Sequence, residues 1–104
     1  MPEYELFNRL KSACQSDWDA YTKHRFVQEL GAGTLPEVSF RYYLQQDYLF
    51  LIHFARAYAL AAFKAEGLEE LRSAAGAVSA IVDTEMGLHV AFCERWGMSE
   101  AEMA

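Results

Sequence analysis

Residues 38–64 contain neither proline nor glycine, whereas Pro36 stands just before the run and Gly67 just after it. Such a stretch predicts one unbroken helix, roughly 40 Å long at the standard α-helical rise. In a chain of 104 residues a helix of that length is central to whatever is built around it. Thr34 followed by Glu37 makes a capping box for its start, and Pro36 falls where a missing N–H costs nothing.

The flanking segments read as helical too. Residues 3–14 carry Leu6, Phe7 and Leu10 at helical spacing, and Ser16-Asp17 is a natural N-cap for a second segment with Trp18 and Tyr21. Residues 24–30 give a third apolar face through Phe26, Val27 and Leu30, which Gly31-Ala32-Gly33 then stops. Gly67 ends the long helix, and a last helix is expected over residues 68–96, stopping at Gly97. Alternating strand patterns are absent, so the fold class is all-α.

Composition narrows the classes further. Hydrophobic residues make up 53% of the chain, with seven Phe, six Tyr and two Trp, which excludes a disordered linker. A domain this small hides such a load poorly, so it is expected to bury apolar surface against another copy, a partner or more of its own fold. The formal charge is −6, and the nine Lys and Arg are scattered rather than clustered, which argues against direct binding of nucleic acid. Cys14 and Cys93 lie far apart with no C-x-x-C, which suits free thiols in a reducing cytosol. The apolar run over residues 49–63 is interrupted by His53 and Arg56 and is too short to span a bilayer. Together with an acidic N-terminus, these features predict a cytoplasmic protein without a membrane partner.

A helical wheel over residues 40–63 places Phe40, Tyr43, Leu44, Phe50, Leu51, Phe54 and Tyr58 on the face of Asp47, while Arg41, Gln45 and Arg56 point the other way. Asp47 thus sits on an aromatic face with no cation of its own helix to pair with, and an unpaired buried carboxylate is costly. Two readings follow. An Arg, a His or backbone N–H groups from another helix satisfy it, or it anchors a ligand between flat aromatic walls. A carboxylate accepts hydrogen bonds from both an exocyclic amine and a protonated ring nitrogen, so a flat amino-heterocycle would fit.

The segment His24-x-Phe26-Val27-x-x-Leu30-Gly31-x-Gly33-Thr34-Leu35-Pro36, followed by Phe40-x-x-Tyr43-x-x-Gln46-Asp47-x-x-Phe50-Leu51 and Phe54-Ala55-Arg56-Ala57, closely resembles the opening of the TenA family, the thiaminase II proteins. Glu85-Met86-x-Leu88-His89 also fits that pattern. The resemblance implies a haem-oxygenase-like (TenA-type) helical bundle, commonly tetrameric and without cofactor or metal. It also implies hydrolysis of aminopyrimidines such as degraded thiamine to hydroxymethylpyrimidine, in thiamine salvage. By position Asp47 matches the pyrimidine-anchoring aspartate and Phe50 the pocket aromatic one turn later, where some members carry Tyr. Tyr43 and Phe54 are further candidate walls. Family members are about twice this length. The resemblance therefore makes residues 1–104 one domain, incomplete at its C-terminus, with the nucleophilic cysteine and catalytic glutamate beyond Ala104.

Other signals compete. Glu85, His89 and Cys93 recur every four residues, on one predicted face with Val78, Val82 and Trp96. That is metal-ligand spacing, weighed against a structural role in which Glu85 and His89 are hydrogen-bonded and Cys93 is a small core residue. His53 is expected between helices, and Glu66, Glu69, Glu70 and Arg72 read as a solvated helix start. The alternative functions are a non-catalytic helical interaction module, a metal-binding relative of the same fold, and a transcriptional regulator. The last is opposed by the acidic charge and the lack of a recognisable DNA-reading helix.

Overall fold

The structure, a computed structural model, describes residues 4–104, and among them every regular element is helical. No helix among the described residues is long and apolar enough to cross a membrane. The chain divides into two compact units, Met1–Pro36 and Glu37–Ala104.

The first unit holds α1 (Glu5–Ala13), α2 (Gln15–Thr22) and α3 (Arg25–Ala32). Phe7 of α1 meets the Trp18 ring of α2 edge-on at 5.7 Å, and the Lys11 ammonium stands 4.9 Å over the same indole. α2 starts one residue earlier than its expected cap. Cys14 is the N-cap and makes no side-chain cap bond, so Ser16 and Asp17 fall inside the first turn. His24 caps α3 instead, its Nδ1 accepting from the Phe26 N–H at 3.0 Å. Gly33 ends α3 at φ 75, a left-handed conformation that glycine adopts without a Cβ clash. The Gly33 N–H reaches Leu30 O and the Thr34 N–H reaches Glu29 O, the paired bonds of a Schellman motif. Thr34 therefore closes α3 rather than opening the next helix, and the expected capping box gives way to this stop.

The second unit is organised by α4 (Glu37–Lys64), the single helix expected from the unbroken run. Leu44, Tyr48, Leu51 and Ala55 form its buried stripe, spaced four, three and four residues apart. Gly67 is not a left-handed stop for α4. It is extended, at φ −118 and ψ 161, and stands at the N-cap of α5 (Leu68–Ser79).

The expected helix over residues 68–96 is continuous but not regular. A π-helical turn, Ala80–Glu85, separates α5 from α6 (Met86–Arg95). In a regular α-helix the positions below Ile81 on one face would be Glu85, Leu88 and Phe92. The wider turn absorbs one residue, so Met86, His89 and Cys93 come round to Ile81's side instead. Glu85 and Leu88 are accordingly exposed, while Ile81 and Cys93 are buried. Ile81 packs with Leu51 and Ala55, and Cys93 packs with Leu44, Tyr48, Met98 and Met103. Met86 touches both groups.

α6 ends on a second Schellman motif. Gly97, at φ 73, donates to Glu94 O, and Met98 donates to Cys93 O while its side chain joins the same core as Cys93. A short α7 (Glu100–Met103) follows, which was not expected from the sequence. Its signal was present in Ser99-x-x-Glu102, a capping box in which Ser99 Oγ accepts from the Glu102 N–H and donates to its carboxylate. Arg41 Nη1 donates to Trp96 O at 2.6 Å, Gln45 to Glu102 O, and the Tyr48 hydroxyl to Glu100. Arg41 and Gln45 leave α4 on the side away from Asp47, as the wheel predicts, and with Tyr48 they tie residues 96–102 to it.

Candidate functional site

Asp47 lies on the border between two stripes of α4. On one side runs the buried stripe of Leu44 and Leu51; on the other, Phe50, Phe54 and Tyr58 are exposed at 55%, 36% and 37%. The expected ring of aromatic and aliphatic residues around Asp47 is therefore split: Leu44 and Leu51 serve the core with Phe40 packed against it, while Tyr43, Phe50, Phe54 and Tyr58 are exposed. Phe50 and Phe54 stack with ring centroids 5.2 Å apart and planes 20° from parallel, and Tyr58 meets Phe54 edge-on at 5.1 Å. Tyr43, one turn before Asp47, packs against Phe40 at 6.1 Å. Tyr43, Asp47, Phe50 and Phe54 thus lie on one face of α4, where the three rings are exposed and Asp47 is half-buried.

The partner of Asp47 comes from α6. His89 Nδ1 lies 3.4 Å from Asp47 Oδ2, an ion-pair contact when the imidazole is protonated. The other ring nitrogen, Nε2, lies 2.8 Å from Leu44 O and 3.5 Å from Cys93 Sγ. A backbone carbonyl can only accept, so Nε2 carries the hydrogen that Leu44 O receives. With a hydrogen on both nitrogens, His89 bridges two acceptors on successive turns of α4, one main-chain and one side-chain. This arrangement is the first reading of Asp47, a histidine from another helix, and it leaves the carboxylate about a quarter exposed (27%).

The competing metal-ligand face does not form. The π turn leaves Glu85 exposed while His89 and Cys93 turn inward, and Val82 is exposed as well. Among the described residues no three His, Cys, Asp or Glu side chains gather in a way that could hold a metal ion. Cys93 is fully buried, and burial first, then the nearby Asp47 charge, pushes its thiol pKa up. Cys14 is exposed and free. His53, expected between helices, is exposed.

A groove of about 390 Å³ opens on the other flank of α4, between Tyr48, Ile52 and Arg56 and the Ile81 side of the π turn. Neither Asp47 nor any of the three candidate walls lines it. Burial, then the charge and hydrogen bond of Glu100, raises the pKa of the Tyr48 phenol at its edge. The wheel passed over Tyr48 because it scored the face of Asp47 and not the neighbouring stripe. His89 enters the sequence reading only in the Glu85–Cys93 series and the family-like segment Glu85-Met86-x-Leu88-His89, and nothing in its own helix announces its contact with Asp47.

Comparison with known proteins agrees with this architecture. A family model described as TENA/THI-4/PQQC matches residues 11–104. The chain is 36% identical to an aminopyrimidine aminohydrolase of Halalkalibacterium halodurans over 94 residues, which is 90% of this chain and 42% of that protein. It is 41% identical to an uncharacterised protein of Haemophilus influenzae, over 94% of this chain and 45% of that one. A crystal structure of a TenA family transcription regulator from Silicibacter sp. TM1040 superimposes with a TM-score of 0.88 at 48% identity, covering 93% of this chain and 43% of that one. The chain spans less than half the length of each of these proteins.

Proposed function

The chain belongs to the TENA/THI-4/PQQC family and has its all-α TenA-type fold, and from that premise we propose that the protein hydrolyses aminopyrimidines in thiamine salvage. The overall reaction exchanges an amino group for a hydroxyl: a water molecule enters, ammonia leaves, and hydroxymethylpyrimidine is the product. Relatives named as aminopyrimidine aminohydrolases support the substrate class. The observation that carries the reading is Asp47, a partly exposed carboxylate on the same helix face as the exposed rings of Tyr43, Phe50 and Phe54. Its oxygens accept hydrogen bonds from the exocyclic amine and a protonated ring nitrogen, while Phe50 and Phe54 offer flat surface to the heterocycle, with Tyr43 on the other side. Where some family members place a tyrosine, Phe50 supplies packing without a hydroxyl contact.

Residues 1–104 form the amino-terminal half of one domain on this reading, and they bind and orient rather than carry out bond making. Thiol attack on the ring requires an accessible thiolate, and Cys93 is buried with its pKa raised. Neither Cys14 nor Cys93 stands in the sequence context of the family's nucleophile, so the resemblance assigns the nucleophile and the acid/base group to residues outside these. A cytoplasmic homotetramer without cofactor completes the proposal.

Calorimetry with hydroxymethylpyrimidine tests it, using the protein that carries this chain. Asp47→Ala is expected to weaken binding by roughly tenfold or more, the worth of hydrogen bonds to a charged group. Unchanged affinity would remove Asp47 from the site. A second reading, a helical module that docks on another chain, draws on the exposure of Phe63 (86%) and Leu60 (54%). Absence of any pyrimidine binding by the parent protein would favour it.

A further inference from the structure

We propose that His89 is the positioning residue for Asp47, fixing the carboxylate's orientation before a ligand arrives; the inference rests on the reading of Asp47 as the pyrimidine anchor. A lone aspartate on a helix surface samples several rotamers, and each hydrogen bond to a ligand must then be made against that freedom. Here the imidazole is itself held. Its side chain is only 10% exposed, its Nε2 is tethered to Leu44 O at 2.8 Å, and its Nδ1 faces Asp47 Oδ2 at 3.4 Å. Leu44 and Asp47 lie one turn apart on α4, so a single ring with a hydrogen on both nitrogens registers the carboxylate against the backbone of its own helix. With Oδ2 steered by the imidazole, Oδ1 is left to accept from a ligand.

The π turn is what delivers the ring. Because Ala80–Glu85 absorbs one residue, His89 comes round to the side of Ile81 and Cys93, which packs on α4. Continued as regular α-helix, the same sequence would turn position 89 by about 100° away from that side. Extra residues of this kind recur where a helix must aim a functional side chain. The arrangement also accounts for a histidine at the edge of an otherwise apolar core whose two ring nitrogens both meet acceptors.

A purely structural His89 would matter for its Leu44 bond alone, and two conservative substitutions separate the roles. An asparagine places its amide near the position of Nδ1 and keeps a donor for Asp47. A glutamine places its amide near Nε2 and keeps the donor for Leu44 O. Affinity for hydroxymethylpyrimidine would be measured by calorimetry for His89→Asn, His89→Gln and Asp47→Ala, with thermal melting alongside. The expected pattern is affinity lowered roughly tenfold in His89→Gln and largely kept in His89→Asn, whichever variant melts lower. On an Asp47→Asn background, His89→Gln should add no further loss, because the pair acts as a unit. Wild-type affinity in His89→Gln beside a loss in Asp47→Ala would overturn the positioning role and leave the anchor standing. Equal losses of affinity and melting temperature in both His89 variants would make the histidine structural and refute the proposal. No loss in Asp47→Ala would refute the anchor, and this inference with it.

Discussion

Phe50 and Leu51 are adjacent on α4 and chemically alike, yet the structure assigns them opposite duties. Leu51 is 7% exposed in the core beside Ala55 and Ile81, whereas Phe50 is 55% exposed beside Asp47. Leu51→Ala is expected to destabilise by about 2–5 kcal/mol, through lost transfer energy and the cavity left behind. Phe50→Ala should change stability by no more than about 0.5 kcal/mol, as an exposed substitution does, while weakening pyrimidine binding. Urea denaturation and calorimetry on the two variants check the contrast, and a large stability loss in Phe50→Ala would contradict it. The cysteines divide in the same way. Cys14 is exposed and Cys93 is fully buried with its thiol pKa raised by burial and the Asp47 charge. Iodoacetamide should modify Cys14 first and reach Cys93 only on unfolding, which peptide mapping of partly labelled protein would show.

At the scale of elements, the decisive feature is the π turn. Deleting the exposed Thr84 removes the one residue that the turn absorbs, so in a regular α-helix Met86, His89 and Cys93 fall four, seven and eleven positions after Ile81 and stay on α4. The expected outcome is helical circular dichroism kept and a melting temperature no lower than the parent's. A melting temperature clearly below the parent's would mean that the register of α6 depends on more than one absorbed residue. The stop of α6 is a smaller case. A Cβ on Gly97 would meet nothing within 4 Å, so the cost of Gly97→Ala is conformational, about 1 kcal/mol from the positive φ of 73.

For the molecule as a whole, two raised pKa values lower stability on the alkaline side. The Cys93 thiol and the Tyr48 phenol both titrate above their ordinary values of 9.0 and 10.0, burial being the larger cause in each case. As pH rises past those values the unfolded chain releases these protons while the folded chain still holds them. Ionisation then favours the unfolded state, and stability that is complete below pH 9 declines as pH climbs above it. Denaturation midpoints from neutral pH upward should show this decline, and it should be shallower in a Tyr48→Phe, Cys93→Ala double variant. An identical slope in the variant would assign the decline to other groups.

The helical class, the extent of α4 and the face that holds Asp47 were all legible in the amino-acid order, because each depends on local rotation per residue and on breakers such as Pro36 and Gly67. Periodicity is blind to which neighbouring stripe of a helix meets a partner. It therefore grouped Leu44 and Leu51 with Phe50 and Phe54, and it missed Tyr48. Periodicity also assumes a constant number of residues per turn, so the wider turn at Ala80–Glu85 broke the predicted alignment of Glu85 with His89 and Cys93. The contact between Asp47 and His89 joins residues on different helices. It exists because the packing of Ile81, Met86 and Cys93 on the α4 stripe selects one register of α6. That choice is made by burial across the interface and not by any propensity within either helix.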